Sequence, residues 1–134
     1  MIRLSAIALV CLALAGCNEG QAPKEDGVCW QAHAGAAGKV SYSALARGVA
    51  SLEDCAVLLE AARLEGQTET NGAYQGFFLF IDAGQMTSAT RREGFRYPVL
   101  QPPQRAEVDK DLRKLIAEHN GKLPSDADLS IVRQ

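Results

Sequence analysis

Cys29, Cys55, His33 and His119 are the side chains of this 134-residue chain whose types suit nucleophilic, redox or metal chemistry. A cysteine nucleophile at Cys29 would need a base held by an orienting group, and His119 with Asn120 are the available pair. Base and orienter must face each other, which neighbours in sequence at a helix end do not do. Thiol exchange is served by two cysteines a turn apart, with a helix N-terminus lowering one thiol pKa. Here they lie far apart, although Cys55 falls in the first turn of an expected helix. Cys29, His33, Cys55 and His119 together would supply four zinc donors, but oxidised sulfurs do not ligate zinc. His33 sits in a Gly/Ala loop, and His119 at a helix C-terminus, where a positive ring is favoured and could respond to pH near 6. Gly38-Lys39 fails as a phosphate loop, because that pattern needs glycine where His33 stands and Ser or Thr at Val40. Arg91, Arg92, Arg96 and Arg105 make one basic cluster, a solvated turn or a seat for an anionic headgroup or glycan. No catalytic, cofactor-binding or metal-binding residue is assigned.

The remaining cysteines point to export. An apolar run from Leu4 to Leu14 follows the basic Arg3 and ends in Leu14-Ala-Gly-Cys17. The run is short for a membrane span and suits a secretory leader. With these flanks, Leu14-Ala-Gly-Cys17 resembles the lipobox of bacterial lipoproteins. That resemblance implies diacylglycerol on the Cys17 sulfur, cleavage after Gly16 and acylation of the new amino group. It also implies, through Asn18 in place of an aspartate, an outer-membrane destination facing the periplasm. Cys11 would leave with the leader, so Cys29 and Cys55 remain as an even pair in an oxidising compartment and read first as a disulfide; two buried free thiols are the alternative.

Charge excludes some partners. The chain carries 14 basic and 16 acidic residues, with no basic face of the kind that nucleic acid requires. It lacks the polybasic patch that could hold a membrane by charge, so attachment would fall to the lipid. No second long apolar segment follows the leader.

The elements that position these residues follow from periodicity. Residues 17–27 hold no large apolar side chain and read as a tether. Short strands are expected at Val28–Trp30 and Val40–Ala46. Ser51 and Asp54 form a capping pattern that starts a helix running to about Glu65 and closing at Gly66. Its inward face is Leu52, Cys55, Ala56, Leu58, Leu59 and Ala62, with Glu53 and Glu60 outward; Val57 and Leu64 share a stripe among the acids, read as exposed apolar residues, with a small contact for a neighbour as the alternative. Asn71-Gly72 signals a turn, and Ala73–Ile81 reads as one central strand with both faces covered. Strands at Gln85–Ala89 and Phe95–Leu100 follow, the second at an edge because of Pro98. A helix from Gln104 to His119 carries a narrow stripe of Val108, Leu112, Leu115, Ile116 and His119. Leu129, Ile131 and Val132 are the only anchors in the tail.

The chain thus divides into a leader (1–16), a lipidated tether (17–27), a disulfide-stapled domain (28–100) and a C-terminal helix and tail (101–134). The fold class is α+β: a small antiparallel sheet with one helix on a face, plus the C-terminal helix. In Cys29-Trp30, Ser51-Leu-Glu-Asp-Cys55 and Gly72-Ala-Tyr-Gln-Gly-Phe-Phe-Leu-Phe80 the body resembles small alphaproteobacterial lipoproteins, which implies no activity. The expected function is a membrane-anchored envelope lipoprotein that is not an enzyme and binds or scaffolds another protein. A small-ligand or glycan module is the alternative, and a thiol-dependent enzyme a lesser one.

Overall fold

The computed structural model describes residues 21–66 and 68–121. The leader, Cys17 and the three tail anchors lie outside the described residues. Among those described, the chain forms two long helices and an antiparallel sheet of strands β1 (Cys29–Ala34), β2 (Val40–Ala46), β3 (Thr70–Tyr74), β4 (Phe77–Ile81), β5 (Met86–Ala89) and β6 (Tyr97–Pro98). Their order across the six-stranded sheet is β2-β1-β3-β4-β5-β6. Helix α1 spans Leu52–Gly66 and α2 spans Pro102–Glu118. The α+β class expected from the sequence is what the chain adopts.

The α1 start is as its residues dictate: Ser51 Oγ accepts a hydrogen bond from the Asp54 amide at 3.1 Å, satisfying one orphan donor of the first turn. Helix α2 begins two residues earlier than expected. Gln101 and Gln104 cap each other's backbone, and the two prolines occupy the first helical positions, where a missing amide costs nothing. At its far end the chain turns left-handed at Asn120 and Gly121.

Residues 73–81 are not one strand. Gln75 and Gly76 both adopt positive φ, 44° and 88°, the two-residue turn whose twist matches a hairpin. They fold β3 back onto β4, so that Ala73 faces Phe78 and Gly72 faces Leu79. Asn71-Gly72, expected as the turn, instead lies inside β3. Glycine is needed there for packing. A Cβ on Gly72 would overlap the Trp30 carbonyl and come within 2.6 Å of Leu59 Cδ1, so its absence lets α1 press directly on the sheet.

Alternation then divides the side chains. Cys29, Tyr74, Leu79, Ile81 and Met86 join Cys55, Leu58 and Leu59 of α1 in the main core, which Leu112 of α2 completes. Phe78 and Ala73 face the other way, with Trp30, Tyr42 and Phe80 beside them.

Two further expectations are corrected by packing between distant segments. Helix α2 lies against α1, which buries the stripe expected to be wet: Val57 is buried, Leu64 packs on the core, and Glu60 has no exposed surface. Residues 21–27, expected as part of a free tether, lie on the domain. Ala22 is buried against Ala73 and Phe78. The Pro23 carbonyl accepts from Gly76 N at 2.8 Å, and Gly27 N donates to Gln75 Oε1 at 2.9 Å. The hairpin tip presents polar groups that this stretch satisfies, so it docks without large apolar side chains.

Candidate functional site

Cys29 begins β1 and Cys55 lies in the first turn of α1, and both are fully buried. Their Cα atoms are 5.2 Å apart and their sulfurs are at bonding distance. The pair staples the start of the sheet beneath the helix and leaves no thiol at either position. The histidines do not join it. His33 stands at the far end of β1, on the order of 13 Å away at 3.3 Å per residue, where Nε2 lies 2.6 Å from Ser43 Oγ. His119 Nδ1 lies 2.8 Å from the Leu115 carbonyl at the end of α2. Among the described residues no group of three or more His, Cys, Asp or Glu side chains converges on a metal-sized site. The four candidate donors are therefore not brought together.

Two other constellations are. The first is the sheet face opposite α1. Trp30, Tyr42, Phe78 and Phe80 share it, and two cations from the β5–β6 loop stand over its rings: Arg92 at 5.5 Å from the Phe78 centroid, Arg96 at 3.8 Å from that of Phe80. Such cation–π contacts favour a partly desolvated aromatic surface over a bare one. Arg92 also reaches Tyr42 Oη at 3.4 Å. Between these groups lies a recess of about 250 Å³ whose lining includes Tyr42, Phe78, Phe80, Arg92, Glu69 and Asn71. Asn71 Nδ2 donates to Glu69 at 2.9 Å, while Asn71 Oδ1 and Trp30 Nε1 are buried with no hydrogen-bond partner among the described residues.

The second is a charge cluster between the helices. Glu60 of α1 accepts from Arg63 Nη2 at 2.6 Å and from Arg105 Nη2 of α2 at 3.2 Å. Arg105 also donates to the Asp82 carbonyl, tying α2 to the β4–β5 turn. Burial would raise the Glu60 pKa, but hydrogen bonds from Arg63 and Asp109 and the Arg105 charge outweigh it, and the carboxyl stays below its ordinary range. Asp109 takes the opposite course. Burial, then its hydrogen bond to Glu60 and the Glu60 charge, push it up to about 6, as like-charged carboxyls sharing a site require. Burial would also raise Asp82, yet amides from Gly84 and Gln85 hold it low. Arg105 and Asp109 line a cleft of about 500 Å³ between α2 and the β5–β6 end of the sheet.

The expected basic cluster is therefore two different things. Arg91, Arg92 and Arg96 stay exposed around the β5–β6 turn, which Gly94 N closes on the Arg91 carbonyl at 3.1 Å. Arg105 is buried and ion-paired. Sequence reasoning missed the Glu60–Arg63–Arg105–Asp109 set. Spacing gave a signal only within each helix, as Glu60/Arg63 and Arg105/Asp109. No family model matches the chain, and no curated protein or solved structure is significantly similar to it.

Proposed function

We propose that this chain is a cell-envelope lipoprotein, anchored through acylated Cys17, whose domain is a non-catalytic binding module. Leu14-Ala-Gly-Cys17 behind its apolar leader is the observation that carries the reading. The buried Cys29–Cys55 pair supports it, because such pairing belongs to oxidising compartments. The aromatic sheet face is the recognition surface of this module, facing an envelope protein partner. Half-buried Trp30, Tyr42 and Phe80 border it while Phe78 is covered, and aromatic side chains of this kind are enriched where proteins meet.

The test has two parts. Cys17→Ala should abolish incorporation of a fatty-acid probe, and undiminished labelling would remove the anchor. Photo-cross-linking in intact cells from position 42, on the aromatic face, should capture a protein neighbour more strongly than cross-linking from Lys110 on the exposed side of α2. Equal capture from both positions would remove the recognition surface.

A second reading, a glycan or other small polar ligand, is favoured by one observation. The recess combines ring faces with Glu69, Arg92 and the unpaired Asn71 Oδ1, a mixture of apolar walls and convergent polar groups suited to hydroxylated ligands. Binding of oligosaccharide fragments that Asn71→Ala abolishes would favour it over the protein partner.

A further inference from the structure

Among the described residues, the two most exposed large hydrophobic side chains stand in the β5–β6 loop and at the start of β6. Phe95 is 78% exposed and Tyr97 59%, their rings 5.2 Å apart at the sheet edge. Around them, between Thr90 and Tyr97, Arg91, Arg92 and Arg96 are all exposed, the last two resting against the Phe78 and Phe80 rings, with Glu93 as the sole acid. The loop is locally basic on a chain that is acidic overall. An aromatic pair flanked by arginines is the composition that settles at a bilayer interface, where rings lie at headgroup level and guanidinium groups meet lipid phosphates.

Where the chain leads from this loop is the second observation. Ala22 packs on Phe78, and Arg92 stands over the same ring. Cys17 is five residues before Ala22, and a fully extended chain covers at most about 18 Å in five residues. With the Pro23–Gly76 hydrogen bond fixing where the segment meets the sheet, the intervening chain is long enough to bring a lipid on Cys17 beside the β5–β6 loop. A lipid surface is thus the one partner that the covalent chain itself holds within reach.

We infer that Arg91, Arg92, Arg96, Phe95 and Tyr97 dock the domain on an anionic lipid leaflet, the loop entering the headgroup layer beside the anchor. This rests on the anchored-lipoprotein reading and extends it by fixing the domain's orientation. Phe95 and Tyr97 enter the interface, and the arginines bind phosphate oxygens. The β2 edge, at the opposite end of the strand order, then points away from the membrane.

The experiment uses the full mature lipoprotein, purified oxidised and reconstituted into vesicles of phosphatidylethanolamine and phosphatidylglycerol. Acyl mass on Cys17 and flotation with the vesicles are measured first. A nitroxide is then placed at Phe95→Cys or, for comparison, at Lys110→Cys on the exposed side of α2. Docking predicts that the label at 95 collides severalfold more with oxygen and severalfold less with a water-soluble nickel chelate than the label at 110. That contrast should shrink in pure phosphatidylcholine, in high salt, which screens surface charge, and in Arg91→Gln. The salt and lipid arms keep all three arginines of the loop, so the electrostatic claim does not depend on Arg91→Gln folding. An anchored, floating protein whose label at 95 is as wet as that at 110 would overturn the docking alone. Absence of acyl mass would overturn the anchor and the docking together. Equal contact in phosphatidylcholine and at high salt would also overturn the electrostatic seat claimed for the arginines.

Discussion

Arg105 of α2 places its guanidinium 3.2 Å from the carboxylate of Glu60, 45 residues earlier on α1. Because Glu60 is fully buried, this contact joins the C-terminal helix to the domain through a charge that has no water to fall back on. Removing one member of a buried pair leaves the other desolvated and alone, which typically costs 3–5 kcal/mol. Glu60→Ala takes away the carboxylate that Arg63 and Arg105 share, leaving Arg105 the Asp82 carbonyl and Asp109, and we expect a loss of about 3 kcal/mol in urea denaturation. A loss below about 1 kcal/mol would show that the arginines find water on their own.

The same cluster sets a pH dependence. Asp109 titrates near 6 in the folded chain, against about 3.9 when unfolded. Between those values the folded state holds the extra proton, so the Asp109 contribution to stability falls as pH rises from about 4 to above 6. Glu60 and Asp82, held below their ordinary range, act in the other direction: the stability they contribute is lost as acid protonates them. Stability should therefore peak in mildly acidic solution. Asp109→Asn, which keeps a donor toward Glu60, should flatten the decline above pH 4 and stabilise the chain at pH 7 by about 1–3 kcal/mol. The check is melting temperature across pH for both proteins; parallel curves would contradict the assignment.

Gly72→Ala tests the close approach of helix and sheet. The new methyl must displace both Leu59 and the β1 backbone at Trp30, and overpacking costs at least about 1–3 kcal/mol. Chemical denaturation should show that loss with an unchanged slope. Leu59→Ala made together with it should recover part of the strain, since it clears the side chain that the methyl strikes.

Cys29→Ser removes the staple. With 26 residues of sequence separation, the unfolded chain regains roughly 3–4 kcal/mol of conformational freedom in the loop-entropy description. The variant should melt lower than the oxidised parent and match a fully reduced parent. An oxidised parent no more stable than its reduced form would mean that the link is worth nothing to the fold.

Much of this architecture was legible locally. Ser51 and Asp54 announced α1 and Pro98 an edge strand, because caps and missing amides act within a few residues; α1 does end at Gly66, but without the left-handed φ of a glycine cap. The Cys29–Cys55 pairing followed from counting and from the inward phase of Cys55. What was hidden depends on contacts between distant segments. Glu60 and Val57 look like solvent residues until α2 covers them. Asn71-Gly72 and Gln75-Gly76 offer competing turns, and only the fit of Gly72 beneath Leu59 decides between them. The docking of residues 21–27 rests on two hydrogen bonds to a hairpin tip that the sequence did not place. The aromatic face was half visible: alternation in Phe77–Ile81 showed two apolar sides, but not that Arg92 and Arg96 would fold over one of them.

The link between Cys29 and Cys55 encloses the exposed Gly35–Lys39 connection between β1 and β2. A protease that cuts after Lys39 would nick the backbone yet release nothing. Both fragments would travel together through a column or a gel, parting only when a reductant reached sulfurs sealed beneath the helix.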